Sequence, residues 1–321
     1  MDGSAQRQRR RASSLVATLA AGVALAVCAA GLLACGGSTG AGVGGVQPTA
    51  TVSVPPAPSA SGGLSPSATS TTAGDTMRLS AYFLRPVMSV KGGQAVAEGP
   101  YIATAHRWVP ATKAAATAAL RALLDGPSAR ERAIGMRSAL PRGAALRGVS
   151  VDDGVATVDL SLPGGAVGRE TALARLAQVV YTLTQFPTVR GVSFMLDGTA
   201  LDSYGGVDLS RPVRRADFGA VTPPIFVESP AAFDPVTSPL RVSGTADVFE
   251  ATFTARLATD TGAYLARRTV TATAGSGTRG TFRFALPFTT TSTIVSLSVW
   301  EVSMEDGSTL HEATIPLTTG G

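Results

Sequence analysis

From Ile225 to the C-terminus the apolar residues recur at every second position, and no stretch shows helical spacing. Phe249, Ala251, Phe253, Ala255 and Leu257 alternate with Glu250, Thr252, Thr254 and Arg256, while Phe282, Phe284 and Leu286 alternate with Arg283 and Ala285. Val295, Leu297 and Val299 are separated by serines. Successive side chains of a strand point to opposite faces, so this pattern buries one face of a sheet and wets the other. With IFVE at 225, LRVSG at 240, LARRTVTAT at 265 and TLHEATIPL at 309, it predicts about seven short strands packed as an antiparallel sandwich.

Upstream, between Met77 and about residue 210, both periods occur. LSAYFL at 79–84 and YIATAHRWV at 101–109 read as strands. Thr112 is placed to cap a helix whose Ala116, Leu120, Leu123 and Leu124 share one face, stopped by Asp125-Gly126-Pro127. LRGVSV and VATVDLS flank Asp152-Asp153-Gly154, a hairpin turn signal. A second helix over about 170–186 carries Leu173, Leu176, Val180 and Leu183 on one face and ends at Pro187, before a strand at Val192, Phe194 and Leu196. This order predicts an α+β layer with helices on one face of a small sheet.

The residues of this region resemble a known family. LRALLDGPSARERAIGMRSALPRG, VSVDDGVATVDLS and QVVYTLTQFPTVRGVSFMLDG, in that order, look like the GerMN domain of sporulation and germination lipoproteins, over about residues 78–210. PPIFVESPAAFDPVTSPLRVSGTADVFEATFTARL, followed by SLSVWEVSMEDGS, resembles the Gmad-type immunoglobulin-like domain of bacterial spore germination, over about 223–318. The resemblance implies membrane-tethered, extracytoplasmic proteins whose pattern contains no catalytic residue. The chain has two cysteines, Cys28 and Cys35, so the inter-sheet disulfide of antibody domains is not available to the sandwich and packing must hold it.

The N-terminus predicts where those domains reside. Arg7, Arg9, Arg10 and Arg11 precede an uncharged run from Leu15 to Leu33, the layout of a secretion signal over residues 1–34. Leu32-Leu33-Ala34-Cys35 resembles the lipobox of bacterial lipoproteins, which implies cleavage before Cys35 and lipid attachment, such as palmitate, on it. The uncharged run is also long enough to remain as a membrane helix. Either way, arginines before it and no Lys or Arg after it until Arg78 place the rest outside the cytoplasm. Residues 35–77 read as a low-complexity spacer with one charge, Asp75, and no aromatic residue.

Without residues 1–34 the chain has 23 basic and 21 acidic side chains, a net charge of +2, which is a poor footprint for nucleic acid. The balance is uneven: residues 78–215 carry 17 basic and 10 acidic side chains, and residues 216–321 carry 6 and 10. That split suggests an acidic envelope protein, an anionic cell-wall polymer or a second copy as partner, with Arg121, Arg130, Arg132, Arg137, Arg142 and Arg147 as contributors.

Signals of catalysis fail on context. Gly275-Ser276-Gly277-Thr278-Arg279-Gly280 matches G-x-G-x-x-G but joins two strands, where a dinucleotide site needs a strand followed by a helix. His311-Glu312 begins H-E-x-x-H, yet Ile315 stands at the second ligand position. His106, the only other histidine, reads as an ordinary half-exposed strand residue. Asp152-Asp153 and Glu305-Asp306 precede glycines as turn residues do. The expectation is a non-enzymatic interaction or assembly module with no cofactor, metal or catalytic residue. The rival is an envelope protein that binds or hydrolyses cell-wall polymer.

Overall fold

Gly92 and Gly93, with φ of 56° and 76°, close the two-residue turn of a long antiparallel hairpin formed by Thr76–Lys91 (β1) and Gln94–Pro110 (β2). The structure, a computed structural model, describes residues 75–320. Strands of 16 and 17 residues are about three times the usual length. The register slips between Arg85 and Val87, where Pro86 lacks the N–H that a continuous ladder needs. The two halves of the hairpin therefore serve different domains.

The half before the slip lies against helices. Ala115–Leu124 (α1) begins after Ala114, two residues beyond the expected cap. Thr112 instead accepts a hydrogen bond from the Ala114 N–H at 3.1 Å, because the alanine run that favours helix supplies no capping oxygen of its own. A short helix at Ala129–Ala133 (α2) follows, closed by a capping box in which Ser128 and Glu131 satisfy each other's backbone N–H. Arg169–Leu183 (α3) is the crossover that makes Val155–Ser161 (β4) parallel to Gly191–Leu196 (β5). With Ala145–Asp152 (β3) and Thr199–Ala200 (β6) they form a sheet in the order β3-β4-β5-β6. Ser203–Tyr204 (β7) and Val207–Asp208 (β8) make a separate ribbon.

The strands read at 79–84 and 101–109 do not join that sheet. They pack on α1 and α3 as a layer of their own, with Phe83 and Leu79 on one face and Tyr82 and Leu84 on the other all buried. The exposed edge that β1 would present is covered by a polar row on α3 and the turn after it. Gln185 bonds both backbone groups of Ser80, at 2.8 and 2.7 Å, Thr182 accepts from the Tyr82 N–H, and Gln178 donates to the Tyr82 carbonyl at 2.9 Å. Leu84 and Arg137 continue the edge with two backbone hydrogen bonds of 2.8 Å.

Ile225–Ser229 (β9), Pro235–Val236 (β10), Leu240–Ala246 (β11), Thr252–Thr259 (β12), Tyr264–Thr271 (β13), Gly280–Leu286 (β14), Ile294–Val302 (β15) and Thr309–Thr319 (β16) build the sandwich. One sheet runs β14-β11-β9 and the other β13-β12-β15-β16, with β10 alongside β16. Phe253, Leu257, Leu297 and Leu317 pack against Val242, Phe282 and Phe284, and each fully buried Leu or Phe contributes about 1.5–3 kcal/mol. At the bulge of β11 against β9, a side chain at Gly244 would start 2.0 Å from the Phe226 carbonyl, so only glycine fits. The alternation read from Phe249 starts later. Phe249–Ala251 forms a 3-10 turn with Glu250 and Ala251 at positive φ, and Phe249 is 53% exposed.

The architecture is an α+β domain followed by an immunoglobulin-like sandwich, and the second sheet does not stop at β16. Beyond Pro86, Met88 pairs with Glu312, so the hairpin tip extends the sandwich to β13-β12-β15-β16-β1-β2. The core of the first domain likewise takes in Phe226 and Ala232 from the second, and the two cluster as one compact unit.

Candidate interaction site

The junction is built from side chains whose types suggest chemistry. Tyr82, Tyr181 and Phe226 form an aromatic trio with centroids 5.5 to 6.2 Å apart, and the Tyr181 hydroxyl shares a 2.6 Å hydrogen bond with Thr222. Arg215 lies over Tyr181 at 4.7 Å and Tyr82 at 5.4 Å and is ion-paired with Glu228. Burial raises the hydroxyl pKa of Tyr82 above its ordinary value, against the opposing pull of Arg215. Arg85 donates to the Thr314 carbonyl at 2.6 Å, and Arg130 stacks on Phe233 at 4.3 Å.

Both histidines lie at this junction. His106 is not half-exposed: its side chain is 6% exposed, and its Nδ1 is 2.6 Å from Asp234 Oδ2, which also accepts from the Ala231 N–H. The reason is tertiary, because β9 and the loop after it cover that face of β2. His311 sits at positive φ on β16, between Glu301 at 3.2 Å and Glu98 at 3.4 Å, with its N–H on Ser89 Oγ. Burial would raise the Glu98 carboxyl, but hydrogen bonds from Lys91 and Ser89 and the nearby His311 outweigh it and hold it below the ordinary value. The gap left beside Arg85, Ile102 and Phe226 is about 50 Å³, room for a water or two.

The remaining motifs have backbone explanations. In the loop at 275–280 a side chain at Gly275 would meet the Val248 carbonyl at 2.5 Å, and the N–H groups of Ser276 and Gly277 are taken by Val248 and Asp247. Asp153-Gly154 is the tight turn expected, and Asp306 Oδ1 accepts from the Ser308 N–H in another. Among the described residues no group of three His, Cys, Asp or Glu side chains could hold a metal ion, and no helix is long and apolar enough to cross a membrane. Cys35 lies outside the described residues.

Of the six arginines named from sequence, three are engaged locally and three are exposed. Arg130 is spent on Phe233, Arg132 on the Pro127 carbonyl, and Arg147 reaches Asp159 and Asp197 at 3.4 and 3.6 Å. Arg121, Arg137 and Arg142 have exposed side chains on different segments. A different set converges. Arg190, Arg211 and Arg214 line an open cleft of about 480 Å³ with Asp153, Gly154 and Asp217, at the end of the sheet where β4 and β5 begin. Arg190 crosses the turn and donates to the Asp153 carbonyl at 2.7 Å, and a side chain at Gly154 would start 2.5 Å from its guanidinium carbon. Arg211 bonds Asp217 at 2.8 Å, and Asp217 also accepts the Arg214 N–H at 2.7 Å. The hydrogen bond from Arg211 holds the Asp217 carboxyl below its ordinary value. The signal that could have found this set is Arg211-Pro212-Val213-Arg214-Arg215, a basic run inside a segment that reads as a turn-rich joint.

Comparison with known families accounts for both domains. Residues 80–202 match the profile of the Germane family, described as sporulation and spore germination, and residues 224–308 match Gmad2, the immunoglobulin-like domain of bacterial spore germination. The chain carries both domains, in that order. Solved structures similar to part of this chain include a candidate lipoprotein from Clostridium perfringens, 24% identical over 44% of this chain and 89% of that one, with a TM-score of 0.30. The tandem GerMN domains of the Bacillus subtilis sporulation protein GerM are 24% identical over 47% of this chain, with a TM-score of 0.34, and this chain spans about half (51%) of that structure. The first GerMN domain of the same protein is 21% identical over 41% of this chain and 98% of its own length, with a TM-score of 0.26. No curated protein matches the chain. In the terms of these families, the hairpin of the Germane domain supplies strands to the Gmad2 sheet.

Proposed function

We propose that this chain is a lipid-anchored, extracytoplasmic interaction or assembly protein of the cell envelope, of the sporulation and germination type that its two domains share, and not an enzyme. The junction carries this reading. His106, His311, Arg215, Asp234, Glu228 and Glu98, side chains of the types that catalysis uses, hold the Germane and Gmad2 domains to each other. A tether at Cys35 would then present a body of fixed geometry to a partner, which suits assembly. Two experiments test it. Labelled palmitate should enter the wild-type protein and not Cys35→Ala, and equal labelling would remove the anchor. Crosslinking in intact cells should recover a protein partner.

A second reading, binding of cell-wall polymer, is favoured by one observation. Trp300 faces outward on the Gmad2 sheet with Arg256 and Arg267 at 5.9 and 5.5 Å from its ring, a surface that combines aromatic area and positive charge. Recovery of polymer without protein in the crosslinking experiment would select it.

A further inference from the structure

The geometry points to the cleft between Arg190 and Arg214 as a binding site for an acidic peptide segment of a partner protein. This rests on the interaction reading above and gives it a place and a chemistry. The cleft, at about 480 Å³, is within the range of about 300–1,000 Å³ that small-ligand sites occupy. Its cations are unequally committed. Arg211 is neutralised by Asp217. Among the described residues no carboxylate lies within ion-pairing distance of Arg190 or Arg214, although both are exposed on the same cleft.

Asp217 displays the mode of recognition, since a single carboxylate takes both the Arg211 guanidinium and the Arg214 N–H. An incoming Asp or Glu side chain would find the same donor types on Arg190 and on the Arg214 side chain. Arg190 is preorganised, because its contact with the Asp153 carbonyl fixes the guanidinium across the turn and the bare Gly154 makes room for it. Asp153 decides between classes of acidic partner. Its carboxylate accepts the backbone N–H donors that a peptide brings and that an anionic polymer without such donors, such as polyphosphate, lacks.

The test measures anisotropy of a fluorescein-labelled oligoglutamate peptide with the full chain, in detergent, at about 0.1 M and about 1 M salt. Binding should be present at low salt and lost at high salt. Arg214→Gln, whose guanidinium makes no ion pair among the described residues, should weaken binding about five- to tenfold, and Arg190→Gln by a similar factor. Arg121→Gln and Arg142→Gln, on exposed positions elsewhere, should leave it unchanged. Gly154→Ala, which must displace Arg190, should weaken binding while Arg214 remains in place. Equal affinity of Arg214→Gln and wild type, absence of binding at low salt, or tighter binding of polyphosphate than of peptide would overturn the proposal. Crosslinking of a partner in cells that is unchanged by Arg214→Gln would remove the cleft and leave the interaction reading standing.

Discussion

Glu131 shows how one side chain can serve two purposes. It is 4% exposed, forms a two-pronged ion pair with Arg107 through distances of 2.7 and 2.7 Å, and accepts the Ser128 N–H that starts α2. Arg107 in turn lies 5.5 Å from the centroid of Phe83. Burial pushes the Glu131 carboxyl up, but the Arg107 and Ser128 hydrogen bonds outweigh it and leave the group below its ordinary value of 4.5. A carboxyl whose folded pKa is depressed adds stability above its unfolded pKa, and that stability is lost as pH falls through the folded value. The melting temperature should therefore drop below about pH 4.5, with Glu98 and Asp217 contributing in the same direction. Glu131→Gln should cost about 3 kcal/mol at neutral pH and show a shallower acid limb than wild type. An acid limb of unchanged steepness in the variant would mean that the pair carries no proton linkage.

At the scale of elements, α3 explains which parts of the fold a sequence displays. Its apolar positions Leu173, Leu176, Val180 and Leu183 were legible because helical spacing alone defines a face. Gln178 and Thr182 are 0% exposed and fall on what the pattern assigns to solvent. Their role depends on the edge of β1, about a hundred residues away in sequence, so no local pattern encodes it. The hairpin was half legible for a similar reason. Gly92-Gly93 is a turn signal, but the destination of the tip, beside β16, is set by a pairing more than 200 residues distant. The cleft arginines were hidden because Arg190 and Arg214 meet only when β5 is folded beside the joint. Gln178→Leu should orphan the Tyr82 carbonyl and the Ala139 N–H, each a partner of that amide. The expected loss is about 2–4 kcal/mol, with faster hydrogen exchange at Ala139. A variant as stable as wild type would show that the polar row does not hold the edge.

For the whole molecule, the charge split between domains takes on a second meaning. The acidic excess of residues 216–321 includes Glu228 and Asp234, which pair across the junction with Arg215 and His106. Part of the attraction that sequence suggests for a neighbouring copy is thus satisfied inside one chain. The aromatic trio, the shared hairpin and these pairs give the junction the burial of a core, where a flexible linker would leave the domains to unfold separately. Heating should accordingly give one calorimetric transition, with calorimetric and van 't Hoff enthalpies in agreement. Asp234→Ala leaves His106 and the Ala231 N–H without their partner, and should cost about 3 kcal/mol while the transition stays single. Severing the chain near residue 216 should yield halves that expose Tyr82 on one side and Phe226 on the other, and that aggregate or melt well below the intact protein. Two resolved transitions in the intact chain, or halves that each retain its melting temperature, would show that the hairpin joins the domains without making them one folding unit.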